Sequence, residues 1–298
     1  MADPQKILIS GATGLVGRAL CEALKLRGHK VRALSRSRGD FRWDVDAGTM
    51  DSGALDGVDC VVHLAGEPVA QRWTDEAKQR ILQSRTRSTE LLVAEILKQA
   101  KPPAFISASG INYYGYDCNA LVDENSESGG GFLAEVCRQW EGAAQPLFDA
   151  GIRTVFMRTG IVLSAEGGAL AKMLPPFKMG VGGRIGSGLQ KMSWISLADL
   201  VAAYVFAIEH EELSGPINAV APESVTNTVF TKTLGKVLGR PTIFPLPATV
   251  VKSLFGEMGT ETVLANVGVL PTRLQSYDFE WKTPTLEEAL RAAIQKIR

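Results

Sequence analysis

An α/β fold organised as a doubly wound parallel sheet is what three features of the 298-residue chain predict. From Lys6 to about Thr159, short apolar runs alternate with longer stretches of helical period, the pattern of strands joined by crossover helices. The first apolar run leads directly into glycines spaced three apart, which opens a βαβ unit. Beyond Thr159 the chain becomes glycine- and proline-rich, so a smaller, loop-rich α/β region is expected to follow the sheet.

The predicted strands are Lys6–Ser10, Lys30–Ser35, Asp59–Leu64, Ala104–Ser109 and Thr154–Thr159, with a further short strand ending at Asp44. Between them, apolar residues recur at steps of three and four over Leu15–Arg27, Thr74–Gln99 and Phe132–Ala150, which predicts helices. Gly167, Gly168, Gly180, Gly182, Gly183, Gly186 and Gly188 then crowd around Pro175 and Pro176 and read as loops. Helices are expected again at Leu197–Glu209 and Thr226–Leu238, and a strand at Pro216–Val220. Two or three helices follow Pro245, the last over Leu286–Ile297.

Lys6-Ile-Leu-Ile-Ser10 runs into Gly11-Ala-Thr-Gly14-Leu-Val-Gly17, with a helix beginning near Leu15. A pyrophosphate site needs these residue types at this spacing: a tight turn, a backbone that approaches the phosphates without a Cβ, and close packing of helix on strand. Gly11, Thr13, Gly14, Leu15, Val16 and Gly17 are therefore expected to bind a dinucleotide in a Rossmann-type sheet. The end of the second strand selects the nicotinamide cofactor. An acidic residue there would accept hydrogen bonds from ribose hydroxyls, but the sequence has Ser35 followed by Arg36 and, nearby, Arg38. A guanidinium suits a 2′-phosphate, so NADP(H) is the expected cofactor, the alternative being a solvated basic loop. Asp44 is placed to meet the adenine amino group or to make a turn, and Leu64, Ala65 and Gly66 leave room for backbone approach. Residues 1–165 are thus read as the dinucleotide-binding domain, with a return of the chain to it around 189–210. Residues 166–298 are read as a substrate or lid region with a helical tail from about 245.

Lys and Arg together number 32, as do Asp and Glu, and this balance removes the electrostatic footprint of non-specific nucleic-acid binding. Cys21, Cys60, Cys118 and Cys137 are scattered, with no spacing for a metal site or a disulfide framework. No run of about 18 apolar residues suggests membrane insertion. A cytoplasmic setting, no metal and a small-molecule substrate are the expectations.

With these motifs in place, nearly the full length resembles the atypical, epimerase-like branch of extended short-chain dehydrogenases/reductases, a branch of NADP-dependent oxidoreductases. The resemblance is carried by Gly11 to Gly17, His63-Leu-Ala-Gly-Glu67, Ser84-Arg85 with Thr89, Ser107-Ala-Ser109 with Tyr113-Tyr114-Gly115, and Trp140-Glu141. It extends through Arg158-Thr-Gly160-Ile-Val-Leu163, Gly186-Ser-Gly188, Trp194-Ile195 with Asp199, and the tail Leu246–Ile294 with Phe255-Gly-Glu257 and Pro271. It implies that Ser109 occupies the catalytic serine position, that Arg85 replaces a cofactor-contacting Asn, and that Arg158 and Gly160 run beside the nicotinamide. A strand-end or capping role remains the alternative for Ser109.

The superfamily's chemistry also uses a Tyr followed four residues later by a Lys, whose charge lowers the phenol pKa. That pair is absent. The tyrosines at 113, 114, 116, 204 and 277 are followed at that distance by Asp117, Cys118, Ala120, Ile208 and Trp281, and counting back from Glu141 puts Leu133 and Cys137 at the two positions. Tyr113 or Tyr114 is the remaining source of a phenol, with packing as the alternative role. His63 and His210 read as packing or capping residues. The expected function is an NADP(H)-dependent oxidoreductase acting on a small carbonyl or hydroxyl compound. The other reading is a non-catalytic NADP(H)-binding scaffold of the cell-division-inhibitor-like kind. A homodimer through the helices at Thr74–Gln99 and Phe132–Ala150 fits either.

Overall fold

The computed structural model describes residues 3–295. The strands are β1 (Lys6–Ser10), β2 (Lys30–Ser35), β3 (Phe41–Asp44), β4 (Thr49–Met50), β5 (Cys60–His63), β6 (Ala104–Gly110), β7 (Asp117–Val122), β8 (Thr154–Thr159), β9 (Ile161–Leu163), β10 (Lys191–Met192), β11 (Trp194–Ser196), β12 (Gly215–Ala219), β13 (Val225–Thr226) and β14 (Asn266–Val269). The helices are α1 (Leu15–Leu26), α2 (Asp75–Leu97), α3 (Phe132–Gly142), α4 (Gln145–Asp149), α5 (Gly168–Lys178), α6 (Leu197–Glu209), α7 (Asn227–Leu238), α8 (Ala248–Met258), α9 (Thr272–Ser276) and α10 (Leu286–Gln295). The expected end of the last helix at Ile297 lies outside the described residues.

The large sheet has the order β12-β8-β6-β5-β1-β2-β3-β4 and is parallel except for the β3–β4 pair. Strand order reverses on either side of β1, which opens a cleft at the carboxyl ends of β1, β5 and β6. The apolar runs are buried because both faces are covered. With a side-chain period of two, Ile7 and Ile9 of β1 pack with Leu20, Leu24, Tyr204 and Ile208 of α1 and α6, while Leu8 packs on the other face with Leu92, Ile96 and Leu147 of α2 and α4. Each such side chain, fully buried, contributes about 1.5–3 kcal/mol of transfer free energy.

A second sheet, β13-β10-β14-β7, and the pair β11-β9 carry the later chain. Its core holds Leu163, Leu170, Leu174, Phe177, Trp194, Phe230, Leu234, Leu286 and Leu290.

Two expectations need correction. The helix expected over Phe132–Ala150 breaks into α3 and α4, with Pro146 in the first turn of α4, where its missing N–H is harmless. The segment read as loop after Gly168 forms α5 straight through Pro175 and Pro176. Leu170, Leu174 and Phe177 lie on one face and are buried, so packing outweighs the proline penalty.

Candidate functional site

The cradle at the end of β1 is set by glycine geometry. Gly14 N–H donates to Gly11 C=O at 3.0 Å, closing a tight turn. Gly11 has φ +75°, and a Cβ there would sit 2.8 Å from the Ala65 nitrogen. A Cβ at Gly17 would overlap the Gly11 carbonyl oxygen. At Gly14, by contrast, only that oxygen lies near an added Cβ, at 3.3 Å, and the remaining space is open. Helix α1 starts there with no side-chain cap and no acidic residue in its first turn. The amides of Leu15, Val16 and Gly17 are left for an anionic ligand, and Thr13 is exposed at the rim.

Past β2, Ser35 Oγ accepts from the amides of Ser37 (3.2 Å) and Arg38 (2.8 Å), a local turn that leaves Arg36 and Arg38 exposed. Neither arginine joins an ion pair among the described residues. Asp44 Oδ1 accepts from the amides of Asp46 and Ala47, both at 3.0 Å, so one oxygen makes a turn. Past β5, Leu64, Ala65 and Gly66 form the next wall. A Cβ at Gly66 would sit 3.1 Å from Arg85 Cζ. Arg85 Nη1 donates to the carbonyls of Glu67 (3.0 Å) and Ile81 (2.9 Å), and its guanidinium lies 5.0 Å from the Trp140 ring centre.

At the end of β6 the structure assembles a chain of side chains. Ser109 Oγ donates to Glu141 Oε1 at 2.7 Å. Arg158 clamps the same carboxylate through Nε (2.9 Å) and Nη2 (2.7 Å), a buried fork-to-fork pair. Arg158 Nη1 donates to Tyr114 Oη at 3.0 Å, and Tyr114 Oη donates to Asn218 Oδ1 at 2.8 Å. Asn218 N–H in turn donates to Glu124 Oε1 at 3.0 Å.

Burial alone would weaken the Arg158 cation, but the hydrogen bonds and charge of Glu141 more than reverse this and hold its pKa above the ordinary value. Burial pushes the Tyr114 phenol up to about 12 despite the neighbouring guanidinium. Tyr113 is half-buried, its ring 3.4 Å from Arg158 Cζ. Gly160 is wedged between strands, where a Cβ would lie 2.8 Å from Ser193 C=O and 2.9 Å from Val220.

Ser109, Tyr113, Tyr114 and Arg158 therefore converge, and Arg85 reaches the same corner from α2. The pairing of Glu141 with Arg158, and the contributions of Asn218 and Glu124, were not legible from local pattern. Glu141 did carry one signal, since Leu133, Cys137 and Glu141 follow at steps of four and share a face of α3.

No helix of the described residues is long and apolar enough to cross a membrane. A family profile described as the NAD dependent epimerase/dehydratase family matches residues 7–131, and one described as a domain of unknown function, DUF1731, matches residues 246–293. The chain is 42% identical over 289 residues to epimerase family protein Mb2239 of Mycobacterium bovis, covering 95% of this chain and 96% of that protein. It is 36% identical over 296 residues to epimerase family protein SDR39U1 of Homo sapiens, covering 97% and 99%. The crystal structure of human SDR39U1, isoform 2, with NADPH superposes with a TM-score of 0.90 at 36% identity, covering 97% of this chain and 99% of that one. Relatives aligned along almost the whole chain, together with the glycine cradle and the C-terminal segment, place this protein in the epimerase family, within the atypical epimerase-like branch of extended short-chain dehydrogenases/reductases.

Proposed function

We propose that the protein binds NADP(H) and acts as an oxidoreductase on a small molecule bearing a hydroxyl or carbonyl group. The observation that carries this reading is the cradle at Gly14, an uncapped helix start with open space where a phosphate would lie. The NADPH in the human relative's structure supports the choice of cofactor. When bound, the cofactor supplies or accepts a hydride.

Gly11, Thr13, Gly14, Leu15, Val16 and Gly17 hold its pyrophosphate in this reading, Ser35 and Arg36 its 2′-phosphate, and Asp44, Leu64, Ala65 and Gly66 its adenosine side. Arg85, Arg158 and Gly160 line the other half. Ser109 is the residue that meets the substrate. Because its proton is given to Glu141, its free lone pairs accept a hydrogen bond from a substrate hydroxyl. Glu141, fixed by Arg158, keeps the serine in that orientation. Tyr114 has its hydroxyl committed to Asn218 and Arg158 and braces the group, whereas Tyr113, whose phenol makes no hydrogen bond among the described residues, is the phenol open to substrate.

The scaffold reading draws on the sequestered Tyr114 and the uncharged Cys137, and tight co-purified NADPH that never turns over would favour it.

Calorimetry tests the cofactor assignment. NADPH is expected to bind at least about tenfold more tightly than NADH, a gap of about 1.4 kcal/mol that one arginine–phosphate contact supplies. Arg36→Asp is expected to erase the preference with the fold intact, since the side chain is exposed. Equal affinities in the wild type would sink the assignment of Arg36.

A further inference from the structure

Charge is spread unevenly over a chain with 32 Lys and Arg and 32 Asp and Glu. Residues 168–198 hold four Lys or Arg and residues 224–256 hold four more, with no Asp or Glu in either stretch, which leaves 24 cations against 32 anions for the rest. The two stretches meet in space. Helix α5 packs on α7, Ile185 bridges to Leu246, and the Thr228 amide donates to the Gly188 carbonyl at 2.9 Å.

The same stretches carry nine of the twelve large apolar side chains that stand exposed among the described residues, so these are clustered rather than scattered. Met179 is 71% exposed, Ile243 72% and Leu254 68%. A Cβ at Gly180 would lie 3.8 Å from Pro241 and one at Gly183 would overlap the Phe244 carbonyl oxygen, so the loop of Met179 and Val181 lies against that of Ile243 and Phe244. Helix α8 continues the face: only Val251 is buried, whereas Val250 and Leu254, one turn apart, are exposed together with Lys252. An exposed apolar cluster of this size marks an interaction surface.

Its chemistry narrows the partner. Between α7 and the two loops lies a cavity of about 230 Å³, whose lining includes Arg184, Lys232, Thr228, Thr231, Thr242 and Ile243. Cations and hydroxyls with no carboxylate suit a phosphate group. Neither Arg184 nor Lys232 joins an ion pair among the described residues, and the acids that reach the edge of the face are already paired, Glu287 with Lys236 and Glu257 with Lys78. A second copy is disfavoured, since a two-fold contact would set like charges against each other. A protein anchor needs an apolar recess, and the recess here is polar. Cations interleaved with protruding apolar side chains match a bilayer surface, with phosphates outside and acyl chains beneath.

We propose that this face docks on a membrane surface rich in anionic phospholipid, with a headgroup phosphate held in the cavity by Arg184 and Lys232 and with Ile243 and Phe244 entering the acyl boundary. The contact lies along the bilayer and requires no spanning helix. It is independent of the cofactor reading, because none of these residues belongs to the proposed nucleotide site.

Vesicle flotation tests the proposal. The wild type is expected to bind vesicles of equal parts phosphatidylcholine and phosphatidylglycerol at least about tenfold more strongly than vesicles of phosphatidylcholine alone, and to lose that gain at high salt. Lys178→Gln/Lys232→Gln is expected to weaken binding to the mixed vesicles by about tenfold or more, as removal of two surface cations should. Ile243→Ser/Phe244→Ser is expected to weaken it about as much while keeping the salt dependence. All four side chains are exposed, so both variants are expected to keep the wild-type urea midpoint. Equal binding of the wild type to both vesicle types, or to neither, would overturn the proposal. An apolar variant that binds like the wild type would give the face to an acidic protein or another polyanion, and overturn it. So would calorimetry showing glycerol phosphate bound as tightly as the vesicles, which would make the cavity a site for a soluble ligand. A dimeric wild type whose apolar variant is monomeric would assign the face to a second copy and overturn it as well.

Discussion

His63 is fully buried between Ser10 and Ser88, whose hydroxyls lie 2.6 Å from Nδ1 and 3.0 Å from Nε2. Burial, reinforced by the positive charge of Arg85, pushes its pKa down from 6.5 to about 3, so it stays neutral and ties β1, β5 and α2 together. The unfolded chain takes up this proton first as pH falls. Stability is therefore full above about pH 6.5 and declines below it towards pH 3, by at most about 1.4 kcal/mol per pH unit. His63→Gln is expected to flatten the urea midpoint between pH 7 and pH 5, and a slope equal to that of wild type would show that His63 does not carry it. At Gly14 the tight neighbour is a single carbonyl oxygen and the rest is open, so Gly14→Val is expected to spare the fold and remove NADPH binding. Retention of the nucleotide by that variant would mean that the phosphates lie elsewhere.

Helix α3 carries Cys137, Trp140 and Glu141 but has no cap of its own, because Gly131 precedes it. The cap arrives from the far end of the chain. Glu261, in the π-helical turn after α8, accepts from the amides of Phe132 (2.8 Å) and Leu133 (2.9 Å) and is itself buried. A carboxylate at a helix N-terminus satisfies two orphan donors and meets the positive end of the helix dipole. The C-terminal segment thereby positions the helix that orients Ser109. Glu261→Ala is expected to lower stability by about 2 kcal/mol in urea unfolding and to loosen α3 in amide exchange. An unchanged midpoint would show that another group takes over the cap.

The whole molecule is interlocked. Strand β12 joins the large sheet beside β8, α6 packs on α1, and the tail strand β14 pairs with both β7 and β10. Asp199 of α6 accepts from the amides of Lys282 (2.7 Å) and Thr283 (3.2 Å), and Glu124 accepts from that of Arg273. The pairings of β12 with β8 and of β14 with β7, the packing of α6 on α1 and the Glu124 contact cross the change in composition near residue 165, while Asp199 ties the later elements to one another. Unfolding is therefore expected as a single cooperative transition, with coincident curves from circular dichroism and tryptophan fluorescence, since Trp43, Trp73, Trp140, Trp194 and Trp281 sample both parts. Two separated transitions would show that the later chain folds independently.

What the sequence determined by itself was the part governed by short range. Strands β1, β2, β6 and β8, helices α1 and α2 and the turn of Gly11 to Gly17 follow from local periodicity and from steric demands within a few residues, and their bounds were legible to within a residue or two. The exposed Arg36 beside Ser35 was legible for the same reason. Tertiary structure decided what depends on groups distant in sequence. Helix α5 persists through two prolines because Leu170, Leu174 and Phe177 have a core to enter. Glu141 becomes a clamped acceptor for Ser109 only because β8 brings Arg158 beside it. Glu261 caps a helix more than a hundred residues earlier. A charge or a hydrogen-bonding group has no fixed partner until the chain has closed on itself, and at this site the partners come from α2, α3, β6, β8, β12 and the tail.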